Sequence, residues 1–191
     1  MSRTSTSMLP DSDGNDRVNC FAVVSYITGA LGAFVDQFQR EAGPCRDVRA
    51  HVTILPPRPL RGTLAAASAH VEEHSRHFGA FEIEATRVRT FRAARVIYLD
   101  VGAGAAQLRR LNRRLNSGAW RFTDPYSYHP HITLAQELPE DRVPEVRKLA
   151  RKRWAEDRLA TRFAIDRISL VQYTRANRWV DVAEYGIGRP G

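Results

Sequence analysis

Apolar residues along this chain alternate between short continuous runs, which are typical of buried strands, and helical spacing of three and four residues. The first run, FAVVSYI, has the length and the β-branched content of a buried strand, and a glycine soon follows it. The pattern of the first half predicts a strand at 21–27, a helix at 30–41, a strand at 51–55, a helix at 63–78 and a strand at 81–91.

The same order then begins again about 80 residues further on. The second half predicts a strand at 95–101, a helix at 105–115, a strand at 131–135, a helix at 143–157, a strand at 163–173 and a last strand at 179–185. We therefore divide a single bilobal domain, 17–191, into repeat 1 at about 21–91 and repeat 2 at about 95–185, preceded by a disordered N-terminal tail at 1–16 that is rich in Ser, Thr, Asp and Gly.

Each copy joins strand to strand through a helix, which is the connection found in crossover and split βαβ units. The order therefore predicts an α+β fold, duplicated, with two ferredoxin-like lobes related by a pseudo-two-fold axis around a central cleft.

The third element of each repeat carries the same short phrase, His51-Val-Thr53-Ile in the first and His131-Ile-Thr133-Leu in the second. Residues i and i+2 of a strand project from one face, so each phrase places an imidazole beside a hydroxyl. Brought together, two histidines can take and give protons near neutrality, while threonine hydroxyls donate hydrogen bonds to phosphate oxygens. A phosphodiester suits this arrangement, and neither proton transfer requires a metal or another cofactor.

Further residues close to the two phrases are candidates for contacting a substrate. The competing interpretations are loop residues at the cleft rim, solvated turn arginines and, for the aromatic residues and above all Trp120, core packing. Arg49 and His129 each lie two residues before a motif histidine, and Arg92 and Arg95 lie in the turn after 91. Tyr126 and Tyr128, with Trp120, lie in the segment 118–130. We expect this segment to form a lid or one wall of the cleft.

Composition adds a preference for acidic partners. The 191 residues carry a formal net charge of +8, almost all of it from arginine, which favours steering of polyanions such as RNA. Cys20 and Cys45 are too few for a disulfide framework or a thiolate metal site, which fits a reducing cytoplasm. No window is apolar enough for a signal peptide or a membrane span, so we expect a cytoplasmic monomer without a membrane partner.

A rival motif lies in the helix predicted at 63–78. His70-Val-Glu-Glu73-His74 has the H-x-x-E-H pattern of one class of zinc peptidase. A catalytic zinc would need a further acidic ligand from a second helix, and charged residues surround the motif, so we interpret it as a solvated helix face.

The arginines at 109, 110, 113 and 114 form a basic ridge that either guides RNA toward the cleft or is simply solvated.

Two such phrases, one in each half of the chain, resemble the 2H phosphoesterase superfamily. The second, Tyr128-His-Pro-His131-Ile-Thr133-Leu-Ala135, is similar to its bacterial 2′-5′ RNA ligase branch, and the resemblance extends over about 21–187. It implies a bilobal, metal-independent enzyme of 2′,3′-cyclic phosphates or 2′-5′ linkages. It also implies that His51 and His131 are the acid and base, and that Thr53 and Thr133 bind phosphate.

Taken together, the sequence leads to the hypothesis of a phosphodiesterase that opens a 2′,3′-cyclic phosphate at RNA ends or on nucleotides, with 2′-5′ ligation as the reverse reaction. Two alternatives stay open: cleavage of 2′-5′-linked oligonucleotides or cyclic dinucleotides, and a noncatalytic RNA-binding module. The sequence does not decide which histidine is acid and which is base. It predicts a bell-shaped pH profile around neutrality.

Overall fold

The computed structural model describes residues 16–43, 49–157, 160–176 and 178–188, so the predicted tail lies outside the described residues except for Asp16. In these residues the chain forms eight strands and four α-helices. The helices are α1 (Gly29–Ala42), α2 (Leu64–Arg76), α3 (Ala105–Leu115) and α4 (Val143–Glu156). The strands are β1 (Arg17–Tyr26), β2 (His51–Arg58), β3 (Phe81–Phe91), β4 (Val96–Val101), β5 (His131–Ala135), β6 (Arg162–Ile165), β7 (Arg167–Thr174) and β8 (Trp179–Gly186).

The strands form two four-stranded sheets, in the orders β2-β1-β7-β8 and β5-β4-β3-β6. The predicted α+β fold with two duplicated lobes is confirmed. The third strand of repeat 1 and the second part of the third strand of repeat 2 nevertheless cross to the other lobe, because β3 pairs with β4 and β7 pairs with β1. Each sheet is therefore built from both halves of the sequence.

Helices α1 and α3 each connect two strands that are neighbours and antiparallel. Tyr26 at the end of β1 pairs with His51 at the start of β2, although α1 lies between the two strands in the sequence. In the second lobe Asp100 at the end of β4 pairs with His131 at the start of β5 in the same manner. Both motif histidines consequently begin a strand, at the same end of their respective sheets.

The strand expected at 163–173 is two strands that belong to different sheets. β6 pairs with β3, and β7 pairs with β1, so the chain passes from one sheet to the other at Asp166. Ile165 and Ile168 on either side of this point are fully buried. The passage ties the two lobes together through one apolar core that contains residues of both sheets.

β2 and β5 are edge strands, and outward-facing carbonyls of edge strands lack ladder partners. Side-chain amides of two helices donate hydrogen bonds to such carbonyls. Gln39 of α1 donates from Nε2 to the Thr133 carbonyl of β5 at 2.7 Å, and Asn112 of α3 donates from Nδ2 to the Ile54 carbonyl of β2 at 2.8 Å. The helix of each repeat thus fixes the motif strand of the other.

No helix in the described part of the chain is long and apolar enough to cross a membrane.

Candidate active site

The four motif side chains of β2 and β5 meet at one cavity. His51, Thr53, His131 and Thr133 all line a cavity of about 770 Å³ between the two sheets. The intervening residues of each phrase point the other way and are fully buried. The imidazoles lie close enough for charge on His131 to lower the pKa of His51. Strand alternation thus brings together the four residues that the repeated phrase singled out.

The two imidazoles are oriented by equivalent hydrogen bonds. His51 donates from Nδ1 to the Arg49 carbonyl at 2.8 Å, and His131 donates from Nδ1 to the His129 carbonyl at 2.7 Å. Because a carbonyl oxygen can only accept, each Nδ1 carries the proton, and Nε2 of the neutral ring keeps its lone pair. Neither Nε2 has a hydrogen-bond partner among the described residues. Both are therefore able to exchange a proton with a substrate.

Aromatic rings pack against both imidazoles and shield them in part from water. The His51 ring lies 4.8 Å from the Trp179 ring, and the His131 ring lies 5.0 Å from Phe91 and 5.3 Å from Tyr98, between ring centroids. Burial lowers the pKa of His51 to about 4 and also lowers the pKa of His131 below its ordinary value. Both rings are consequently neutral bases at pH 7. A bound phosphate anion would favour the protonated form of either ring and raise its pKa.

The threonine hydroxyls are available to a ligand. Thr53 and Thr133 are half-buried on the same faces as the histidines, and neither hydroxyl has a hydrogen-bond partner in the described part of the chain. The Thr53 backbone is held from the other side, because Tyr128 donates its phenolic proton to the Thr53 carbonyl at 2.7 Å. These hydroxyls can therefore donate to phosphate oxygens from fixed backbone positions.

The residues two positions before each histidine are anchored by carboxylates. Arg49 pairs with Asp181, and its guanidinium lies 3.6 Å from the centre of the Tyr26 ring. His129 Nε2 lies 2.8 Å from Asp100 Oδ1. Because the carbonyls of Arg49 and His129 orient the two imidazoles, these anchors fix the histidine geometry. His129 also lines the cavity, whereas Arg49 is not among its lining residues.

The β3–β4 turn contributes one of its two candidate arginines to the lining of the cavity. Arg92 lines the cavity, beside Phe91, and Arg95 does not. Arg95 occupies the left-handed region with φ of +52°, and its amide donates to the Arg92 carbonyl at 3.2 Å. Arg92 is thus the arginine of this turn that is placed to meet a phosphate.

The aromatic candidates divide between cavity and core. Tyr126 and Tyr128 both line the cavity, and Tyr126 is 78% exposed. Trp120 is fully buried and donates from Nε1 to the Ala67 carbonyl at 2.9 Å. The stacking hypothesis is therefore wrong for Trp120, which is a core residue of the second lobe's connecting segment.

A buried arginine that the sequence reasoning missed organises one wall of the cavity. We call residues 121–128 the wall segment; six of them, from Phe122 to Tyr128, line the cavity. Arg58, at the end of β2, is fully buried and donates to Asp124 Oδ2 at 2.8 Å and to Asn116 Oδ1 at 2.9 Å. Asn116 in turn accepts from the Phe122 amide and donates to its carbonyl. The motif strand and the wall segment are thereby joined by charge and hydrogen bonds.

The rival zinc motif does not assemble a metal site. The His70 and His74 rings stack with their centroids 4.0 Å apart, and His74 Nδ1 bonds the His70 carbonyl at 3.0 Å. His70 Nε2 faces the Ser117 hydroxyl at 3.3 Å. Within the described ranges, no group of three or more His, Cys, Asp or Glu side chains is arranged to hold a metal ion.

Comparisons with known proteins identify the family of the chain and the proteins that share its fold. The family model of the 2′-5′ RNA ligase superfamily matches residues 29–177, a span that includes both phrases. A crystal structure of E. coli LigT complexed with NADP+ is 16% identical, covers 92% of this chain and 100% of its own, and superposes with a TM-score of 0.58. E. coli LigT complexed with 3′-AMP is 17% identical over 90% of this chain and 98% of its own, with a TM-score of 0.57.

A protein of Thermus thermophilus is 14% identical, covers 88% of this chain and 97% of its own, and has a TM-score of 0.61. At these identities the solved structures show that the fold is shared. No curated protein matches the chain.

Proposed function

Because the chain belongs to the 2′-5′ RNA ligase superfamily, we propose that it is a metal-independent phosphodiesterase that opens a 2′,3′-cyclic phosphate at an RNA end or on a nucleotide. The observation that carries the proposal is that His51, Thr53, His131 and Thr133 line one cavity, while the two Nε2 atoms and the two hydroxyls have no hydrogen-bond partner among the described residues. This is the arrangement that one proton acceptor, one proton donor and a phosphate require.

In the proposed reaction, one imidazole takes a proton from water as the water oxygen bonds to phosphorus. The other imidazole, protonated, gives its proton to the ribose oxygen as the bond from that oxygen to phosphorus breaks. Burial lowers the pKa of both imidazoles, and a bound phosphate anion favours the protonated form of one of them. The orientation of the bound nucleotide decides which histidine is the acid and which is the base, while Thr53 and Thr133 stabilise the charge that develops on the non-bridging oxygens.

The size and lining of the cavity support a nucleotide as the reacting group. A volume of about 770 Å³ lies within the range of small-molecule sites, roughly 300–1,000 Å³. Aromatic side chains supply much of its surface and offer planar faces for a base. E. coli LigT, which shares the fold, has been crystallised with phosphate and with 3′-AMP. We assign RNA ends or small nucleotides as the substrates on this basis.

The same geometry run in reverse joins a 5′-hydroxyl to a cyclic phosphate and gives a 2′-5′ linkage, although hydrolysis dominates in water. The proposal places this activity in a cytoplasmic monomer. Cys20 is a free thiol, which fits a reducing compartment.

The proposal is tested by offering the protein four substrates in EDTA: a nucleoside 2′,3′-cyclic phosphate, a short RNA with that terminus, a 2′-5′-linked dinucleotide and a cyclic dinucleotide. We expect the first two substrates to be turned over at the same rate with and without chelator. Chromatography of the monophosphate products measures this rate. Loss of turnover in EDTA that zinc restores would overturn the metal-free mechanism. Turnover confined to the last two substrates would support the alternative phosphodiesterase, and binding of RNA without any turnover would support the noncatalytic module.

A further inference from the structure

The arginines of α3 lie on two different flanks of the helix. The sequence of α3 (AAQLRRLNRRL) contains four arginines and no acidic residue, and its leucines are buried. At about 100° per residue, positions four apart share a flank, so Arg109 and Arg113 lie on one side and Arg110 and Arg114 on the other. All four are exposed. The helix therefore presents two separate pairs of cations.

The flank of Arg109 and Arg113, which we call the cavity-side flank, lies on the side of the helix nearer to β2 and to the cavity-lining Tyr128. Asn112, between them, donates to the Ile54 carbonyl of the motif strand β2 at 2.8 Å. The pKa of the cavity-lining Tyr128 is raised by burial, and the charge of nearby Arg109 opposes that rise. Arg110 instead lies 4.8 Å from the centre of the Phe78 ring, at the end of α2. The two pairs thus point to different surroundings.

Positive charge on the cavity-side flank is not cancelled nearby. Neither Arg109 nor Arg113 forms an ion pair with a described residue. The carboxylate of the adjacent wall segment, Asp124, is already paired with the buried Arg58. Tyr126, in the same segment, is 78% exposed and borders the cavity. The charge of Arg109 therefore lies near Tyr128, which is two residues along the wall segment from the exposed ring of Tyr126.

We propose that Arg109 and Arg113 bind backbone phosphates of the RNA strand that leads to the cyclic end, and that Tyr126 stacks on one of its unpaired bases. The inference rests on the proposed function and narrows its substrate to RNA ends in preference to free nucleotides. Arg92 is the single arginine on the described lining of the cavity, so the further phosphates of a polymer must find cations outside it. Cations along the backbone combined with aromatic stacking are the usual means of holding single strands.

The test compares kcat/KM for a nucleoside 2′,3′-cyclic phosphate with kcat/KM for a short RNA that ends in the same group. The variants are Arg109→Gln with Arg113→Gln and, as a matched control on the same helix, Arg110→Gln with Arg114→Gln. We expect the cavity-side pair to lower the ratio of RNA to mononucleotide kcat/KM by about 5- to 30-fold, which is the upper part of the range that two exposed charge contacts allow. The control pair should leave this ratio within about twofold of wild type, which is the scatter of neutral surface substitutions.

Salt dependence gives a second readout that needs no turnover. Binding of a product RNA, ending in a monophosphate, should have a slope of log K against log salt that is shallower by about 1.4 in the cavity-side variant, since each phosphate that an arginine neutralises on a single strand accounts for about 0.7. Equal effects of both pairs would show nonspecific steering and overturn the inference, as would an unchanged ratio and slope. Failure of the wild type to hydrolyse either substrate would instead count against the proposed function, while the binding slope would still decide the role of the arginines.

Discussion

Replacing His51 or His131 by alanine is expected to lower kcat for hydrolysis of a 2′,3′-cyclic phosphate by about 10²- to 10⁴-fold. Each substitution removes one of the two cavity-lining imidazoles, whose Nε2 atoms have no partner in the part of the chain that the structure describes, and general acid or base catalysis by a positioned side chain is worth about that factor. Single-turnover measurements with saturating substrate report this loss directly, without a contribution from product release.

The double variant separates a working pair from two independent groups. If the histidines act in one concerted transfer, removing both should lower kcat little more than removing either one. A single remaining histidine cannot complete the transfer, so its later removal changes little. Multiplied losses would show that the two imidazoles act independently and would contradict the paired site. His77→Ala is the matched control, since His77 is exposed at the end of α2 and its one side-chain hydrogen bond within the described residues joins Nδ1 to the Glu73 carbonyl. It should retain wild-type kcat.

The second large effect concerns the ion pair beneath the wall segment. Asp124→Ala should destabilise the protein by about 3 kcal/mol, because it leaves the fully buried guanidinium of Arg58 without its carboxylate. This value is at the lower end of the range for a broken buried pair, since the Asp124 side chain is 20% exposed and Arg58 keeps the carbonyl of Pro56 and the amide oxygen of Asn116. Urea denaturation measures the loss. Asp141→Ala, at an exposed position, should stay within about 0.5 kcal/mol of wild type.

The same pair should affect substrate binding separately from stability. Replacing both partners by apolar residues of similar size, Arg58→Met with Asp124→Leu, is expected to recover much of the lost stability, as it does for other buried pairs. It should not restore the position of the wall segment, because the charge-assisted bond that holds Asp124 is gone. We therefore expect KM for the cyclic phosphate to stay raised while kcat changes little. Recovery of wild-type KM together with stability would show that Arg58 has a structural role alone.

The order of elements and the two histidine phrases could be predicted because each depends on local alternation. Strand periodicity placed His51 and Thr53 on one face, and the same rule held for His131 and Thr133. The family resemblance that these phrases suggested is confirmed by the family model.

The exchange of strands between lobes was missed, although a weak signal exists. Apolar residues fall on odd positions at Phe163 and Ile165 and on even positions at Ile168 and Leu170. A change of parity inside one predicted strand indicates a break, and the chain does leave one sheet for the other at Asp166. Local alternation could show that break, but it could not show which sheet each piece joins.

The supporting residues could not be found from local pattern because their partners are distant in the sequence. Arg49 is held by Asp181, 132 residues away, and Arg58 by Asp124, 66 residues away. Trp179, which lies against His51, opens the last strand and gives no sign of that contact in the sequence. Such pairings depend on which strands become neighbours, and this is the part of the topology that the repeat did not reveal.

The central claim, that the two histidines share one reaction with one neutral and the other protonated, is tested most directly by the pH dependence of kcat/KM for the wild type in EDTA. Such a reaction is fastest between the two pKa values of the free protein. Because burial lowers the pKa of both histidines, to about 4 for His51, both limbs of the profile should lie below the ordinary histidine pKa of 6.5. The predicted result is a bell centred on the acid side of neutrality, more acidic than the sequence alone implies; a profile with a single limb, or one that is flat across this range, would contradict it.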